Sequence, residues 1–178
     1  MQTSDQARGA LSKPEMYRNL CNQLSELLRG ELDFLANAAN TVALIYRSVP
    51  DINWAGFYFK RDQDLVLGPF QGAPACTRIR IGEGVCGRAA ATGETVVVED
   101  VSKFEGHIVC DPASQSEIVV PVLNWGHLFG VLDVDSTTLG RFDEDDQDGL
   151  EALIAIFLSA QKTDDLPDFE QLARRAQA

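Results

Sequence analysis

No stretch of this 178-residue chain is apolar for long enough to cross a bilayer: its longest runs, such as Ile118 to Leu123, fall far short of the roughly 20 residues a spanning helix needs. The opening residues MQTSDQARGALSKPEM are polar and contain no charged segment leading into an apolar one, so no secretory signal is visible and a cytoplasmic protein is expected. Positive charge is scarce as well. Against 27 Asp and Glu stand 15 Lys and Arg, a formal net charge of −12 whose field repels phosphate backbones and anionic lipid, so neither nucleic acid nor membrane is an expected partner. Aromatic residues make up only 8%, but 45% hydrophobic and 24% charged residues are an ordinary globular mixture, enough for one domain with a proper core.

Ligand motifs are missing too. The four cysteines lie far apart, no Cys-x-x-Cys occurs and the two histidines bring no companion ligands, so no metal is expected. There is no P-loop pattern, and no nucleotide cofactor is expected. In a reducing compartment four cysteines do not make a structural disulfide framework, and each has to be weighed by its own chemistry.

What is present has a clear order. After a polar arm over 1–13, the spacing of Met16, Leu20, Leu24, Leu27 and Leu28 from Pro14 onward predicts a helix that Gly30 stops. A second helix, with apolar positions Leu32, Leu35, Ala36, Ala39, Val42, Ala43 and Tyr46, ends before Pro50. The period then shortens: Trp54 to Lys60 and Leu65 to Phe70 read as a hairpin around the polar turn 61–64. Gly82, Gly84, Gly87 and an alanine run suggest a tight turn feeding a short, closely packed helix, followed by a strand at Val96 to Val98. An irregular loop from Ser102 to Pro112 carries Gly106, His107 and Cys110, and Glu117 to Leu123 with Leu128 to Val134 form a second hairpin. Acidic residues 143–146 announce a last helix bearing Leu150, Leu153, Ile154, Phe157 and Leu158. The expected fold is α+β: a central antiparallel sheet of five or six strands, helices packed on one face, and helices at both chain ends. One domain over 14–162 and a tail or short helix over 163–178 complete the expectation.

Asn53-Trp54-Ala55-Gly56-Phe57-Tyr58, Gly84-Val85-Cys86-Gly87, Gly106-His107-Ile108-Val109-Cys110-Asp111, Ser116-Glu117-Ile118-Val119 and Gly130-Val131-Leu132-Asp133-Val134-Asp135-Ser136, together with Cys76, occur in one order. In these residues the chain resembles the GAF-domain free methionine-(R)-sulfoxide reductases, from the second helix to about Phe157. The resemblance implies a GAF-like sheet, free methionine sulfoxide as substrate, Cys110 as catalytic cysteine, Cys76 as its resolving partner in a disulfide, and Cys86 as a third thiol. It also implies recycling by thioredoxin or a similar dithiol, and places Glu117, Asp133 and Asp135 in the substrate pocket.

The residue types suit that chemistry. Reducing a sulfoxide needs a thiolate to attack sulfur and an acid to protonate the oxygen, and the resulting sulfenic acid condenses with a second thiol. Cys110 sits in a polar loop beside His107 and Asp111, the setting of a reactive thiol, whereas Cys86 in its Gly-Ala surroundings suits a small buried hydrophobe equally well. Cys21 lies on the apolar side of the first helix and is expected in the core. Asp133 and Asp135 alternate with apolar residues, so both carboxylates share one strand face, as do Trp54 and Tyr58, which could wall a slot for the S-methyl group. A non-catalytic GAF module that binds a small molecule or senses redox state is the alternative. Pairing of terminal helices into a homodimer and packing of the first helix's stripe within the chain both remain open.

Overall fold

The computed structural model describes residues 11–161. Of the expected arm, residues 1–10 lie outside the described residues, as does the tail expected over 163–178. Ser12 and Lys13 already belong to the first helix: Ser12 and Glu15 form a reciprocal capping box at the start of α1 (Lys13–Leu27). Next come α2 (Phe34–Ser48), β1 (Trp54–Arg61), β2 (Asp64–Gln71), β3 (Arg78–Arg80), α3 (Gly84–Thr92) and β4 (Val96–Val98). A single 3-10 turn (Val101–Lys103), β5 (Ser116–Asn124), β6 (His127–Ser136) and α4 (Glu144–Ser159) follow. The six strands form one sheet in the order β3-β2-β1-β6-β5-β4, and every neighbouring pair is antiparallel. No helix among the described residues is long and apolar enough to cross a membrane.

Both faces of the sheet are covered. Phe57, Phe59, Ile118, Val120, Leu132 and Val134 point to one side, where Leu20, Leu24, Val42, Ile45, Leu150, Leu153 and Phe157 of α1, α2 and α4 close the main core. That is the expected single helical face. The short α3 instead lies on the opposite face, packing Val85, Cys86, Ala89 and Ala90 against Trp54, Tyr58, Val119 and Val131. It fits there because Gly87 lets it press on the end of β3; a Cβ at that position would sit 2.4 Å from the Arg80 carbonyl oxygen.

The second helix corrects its expected face. Its buried residues are Phe34, Asn37, Ala38, Thr41, Val42 and Ile45, while Leu32, Leu35 and Tyr46 are exposed. Two polar residues disguise the stripe. Thr41 Oγ1 donates to the Asn37 carbonyl (2.8 Å) and Asn37 Nδ2 donates to the Glu31 carbonyl (3.1 Å), so both can be buried with their donors satisfied. The stripe of α1 packs within the chain, against α4, and Cys21 lies at the edge of that core.

One buried carboxylate ties these helices to the sheet. Asp146 is fully enclosed and accepts from Tyr17 Oη (2.9 Å), Arg141 Nη1 (2.9 Å), the Asp143 amide (3.1 Å) and Lys13 Nζ. Arg141 in turn donates to the Pro50 carbonyl (3.0 Å), so α1, α4 and the entry to β1 meet at one charge. Replacing Asp146 by Ala leaves the buried Arg141 guanidinium without its carboxylate and takes one of two carboxylates from the partly exposed Lys13, and is expected to cost about 3–5 kcal/mol of folding free energy. Urea unfolding measures this; a loss below about 1 kcal/mol, the scale of a surface ion pair, would contradict the role of Asp146 as a hub.

Candidate active site

Polar groups collect on the sheet face that α3 covers. Antiparallel pairing sets Glu117 of β5 opposite Asp135 of β6 and Val119 opposite Asp133, so Asp133 is the diagonal neighbour of Glu117. On the other side of β6, Trp54 pairs with Asp135 and Gly56 with Asp133. From α3, Cys86 reaches over the strands with its Sγ 3.9 Å from Glu117 Oε1. The segment after the 3-10 turn closes the top: His107 Nε2 stands 3.7 Å from Glu117 Oε2, and Cys110 is joined to Cys76 by a disulfide with Cα atoms 5.2 Å apart. That separation lies inside the usual range for a disulfide.

Hydrogen bonds hold both sides of this closure. Tyr58 Oη donates to the Cys76 carbonyl (3.0 Å), while Asn53 Nδ2 donates to Asp111 Oδ2 (3.0 Å) and Ser114 Oγ (3.1 Å). The partly open cavity between them measures about 30 Å³ and is lined by Cys86, His107, Cys110, Asp111, Ser114, Glu117, Asp133 and Asp135, with Ile79, Val85 and Ile108. Such a volume holds one or two waters and no amino acid.

Each residue expected in the site can now be placed. Cys86, Cys110, Glu117, Asp133 and Asp135 line one cavity and Cys76 is bonded at its edge. Trp54 and Tyr58 share the face, with stacked rings 5.9 Å apart, but stand behind the cavity without lining it. Trp54 Nε1 donates to the Ala73 carbonyl (3.0 Å), so both aromatics brace the Cys76 segment. Ser114 is the residue that sequence reasoning missed; a serine in a polar loop carries no signal until the fold sets it against Asp111 and Asn53.

The electrostatics are unusual for so small a space. Burial, and then the charge of Asp135, pushes the Glu117 carboxyl well above its ordinary value; burial and Glu117 do the same to Asp133. Asp135 is raised by burial and by Asp133, and the Cys86 thiol by burial and by the carboxylates around it. Among the described residues no Lys or Arg lines the cavity. Burial lowers His107 while it raises Glu117, so both shifts favour the neutral forms across this contact. Asp133 Oδ1 is buried without a hydrogen-bond partner. The arrangement can therefore hold protons on carboxyl groups at neutral pH, receive a cation, and present a pair of thiols to whatever it receives. The donors of Cys86, Glu117 and Asp133 lie within 4.8 Å of one another, the one metal-ligand grouping among the described residues.

Residues 19–160 match the GAF domain family. The chain is 49% identical over 159 residues to the free methionine-R-sulfoxide reductase of Escherichia coli, covering 89% of this chain and 96% of that one. It belongs to the GAF-domain free methionine-R-sulfoxide reductase family. The Saccharomyces cerevisiae member is 44% identical, over 80% of this chain and 84% of its own. The X-ray structure of the Neisseria meningitidis member in complex with its substrate superimposes with a TM-score of 0.82 at 41% identity, covering 94% and 96% of the two chains.

One motif could mislead in a member of this reductase family. Gly82, Gly84 and Gly87 have the Gly-x-Gly-x-x-Gly spacing of a dinucleotide-binding turn and stand between a strand and a helix. Here the Gly82 amide donates to the Gly87 carbonyl (2.8 Å) and the Gly87 amide to Glu83 (3.0 Å), so both serve the turn itself. The flanking strands β3 and β4 lie at opposite edges of the sheet, which is not a parallel βαβ unit.

Burying carboxyls has a measurable consequence. A group whose folded value is raised keeps its proton more tightly when folded, so its contribution is lost as pH rises from the unfolded value of about 4. Asp133→Asn removes this loss. The variant is expected to melt about 2–4 °C above the parent at pH 8, the shift that 1 kcal/mol produces in a domain of this size, and the gap should narrow toward pH 5. Calorimetry across that range tests it, and a gap independent of pH would count against the buried charge as its cause.

Proposed function

We propose that this protein reduces free methionine (R)-S-oxide to methionine, with Cys110 as attacking thiolate and Cys76 as resolving thiol, in a single catalytic domain over 14–162. The observation that carries the reading is the Cys76–Cys110 disulfide closing a cavity lined by three carboxyls whose burial favours the protonated form. In the reduced state the Cys110 thiolate attacks the sulfoxide sulfur while a carboxyl protonates the oxygen. Methionine departs and Cys110 keeps the oxygen as a sulfenic acid. The Cys76 thiol then attacks the Cys110 sulfur, expelling water, so that sulfoxide and two thiols become sulfide, disulfide and water.

Glu117, Asp133 and Asp135 divide two tasks, protonating the oxygen and binding the substrate ammonium, and Trp54 with Tyr58 supports an apolar wall for the methyl group. Cys86 is an auxiliary thiol. Its raised value leaves it protonated at neutral pH, which argues against it as the nucleophile. A thioredoxin-like dithiol returns the disulfide to thiols in the cytosol.

Methionine release from separated R and S epimers, with dithiothreitol as reductant, tests the whole reading. The parent should turn over the R epimer alone, and Cys110→Ser should lose about 10⁴-fold or more, the scale at which removing a covalent nucleophile acts. Cys76→Ser should still release one methionine per chain in a single turnover while failing to recycle with thioredoxin. Ligand binding or oxidation of the parent without turnover would favour a redox or small-molecule sensor, and normal turnover by Cys110→Ser would remove that residue from the mechanism.

A further inference from the structure

We propose that Cys86, Glu117 and Asp133 form a binding site for one borderline-soft divalent cation of the zinc class, which inhibits the reduced protein by occupying the back of its substrate cavity. The inhibitory part rests on the function proposed above; the site itself does not. Three different elements, α3, β5 and β6, bring one sulfur and two carboxylate donors within 4.8 Å of one another, a grouping that no spacing in the sequence displays. All three side chains are held by packing, at 3%, 6% and 7% exposure. Cys86 Sγ and Glu117 Oε1 are 3.9 Å apart. Bonds of about 2.0–2.3 Å to a tetrahedral zinc would set such donors roughly 3.3–3.8 Å apart, so Cys86 and Glu117 stand within a few tenths of an ångström of that range and the widest pair of the group has to close by about 1 Å.

A second observation points to a missing ligand. Asp133 Oδ1 is buried with no hydrogen-bond partner, the Asp133 carboxyl having beside it only Cys86 and Glu117, the other two donors of the group, on a cavity with no lysine or arginine in its lining among the described residues. An orphaned carboxylate oxygen of this kind is costly unless something cationic or protic visits it. A free methionine substrate brings an ammonium; a metal ion brings more charge into less space. The cavity of about 30 Å³ admits an ion with a water, though not an amino acid. A thiolate beside two carboxylates selects zinc-like ions over magnesium or calcium, which prefer all-oxygen sets. Binding displaces the protons held by Cys86 and the carboxyls, and the fourth position faces the cavity, where water completes the coordination. His107, 3.7 Å from the far oxygen of Glu117, serves as an outer partner.

Cobalt(II) is the probe. The Cys76→Ser/Cys110→Ser double variant lacks the redox pair and retains Cys86 and Cys21, so after reduction and removal of reductant any thiolate-to-cobalt charge-transfer band comes from one of these two. One equivalent of Co²⁺ should produce that band. Adding Cys86→Ser should abolish it, whereas adding Cys21→Ser should leave it. Glu117→Gln, which keeps the sulfur ligand, should retain the band with affinity weakened at least about 10-fold, the least that loss of even an outer partner brings. In the reduced parent, Zn²⁺ should raise KM for methionine sulfoxide several-fold at constant kcat, reversed by chelator. No band in the double variant, or a band that survives Cys86→Ser, overturns the site. A Cys86-dependent band with turnover indifferent to Zn²⁺ overturns only the inhibition, and a band in a protein without turnover upholds the site while removing the reductase reading.

Discussion

The register between β5 and β6 decides which side chains meet which face, and every other feature of the site follows from it. Their connection is a two-residue turn in which Trp125 (φ 51°) and Gly126 (φ 79°) both adopt left-handed conformations, the geometry that suits a tight hairpin. From that turn the pairing runs Asn124 with His127 and Leu123 with Leu128, and then shifts by one residue, so that Val122 meets Gly130. This bulge changes the phase of the whole hairpin. Continued without it, the first register would set Glu117 opposite Val134 and Val119 opposite Leu132, dividing the carboxylates between the two faces. With it, Glu117, Asp133 and Asp135 share one face, while Ile118, Val120, Leu132 and Val134 fill the main core on the other.

Some of this was readable in the chain itself. Alternation places Asp133 and Asp135 on one face in any strand, and the 61–64 and 124–127 turns announce their hairpins by composition. The resemblance to a reductase family carried the pairing of Cys76 with Cys110, which separation in sequence could not have shown. Other features left no local trace. Three-residue β3 is too short for a period, and α3 could have gone to either side of the sheet, because a helix of glycine and alanine has little face of its own. Asn37 and Thr41 hid the buried stripe of α2 by being polar in the core with satisfied donors. Asp146 read only as a helix-capping acid, since its partners Tyr17 and Lys13 are about 130 residues away.

Three acids in one enclosed space are poor for stability and useful for chemistry. A chain optimised only for folding would place apolar residues at Glu117 and Asp133, as it does at Val119 and Val131 beside them. Keeping carboxyls there raises their affinity for protons, which is what an acid working at neutral pH requires. The rest of the molecule offsets this strain with a core buried on both faces of the sheet and with the Asp146 hub on the side away from the site.

Location also supports the proposed division of roles among the thiols. Cys21 touches only the helical core. Cys86 sits in a helix under the carboxyls, where burial, and then those acidic groups, disfavour its ionisation, so its thiol is held protonated. Cys110 lies on an irregular segment held by Asn53, through Asp111 and Ser114, and by its bond to Cys76, of which reduction removes only the bond. In the proposed reaction the nucleophile approaches a substrate, gives way to a resolving thiol and is then reached by an external reductant, a course that an irregular segment serves better than a helix or strand. Among the three cysteines around the sheet's polar face, Cys110 alone combines a cavity-facing position with such a segment.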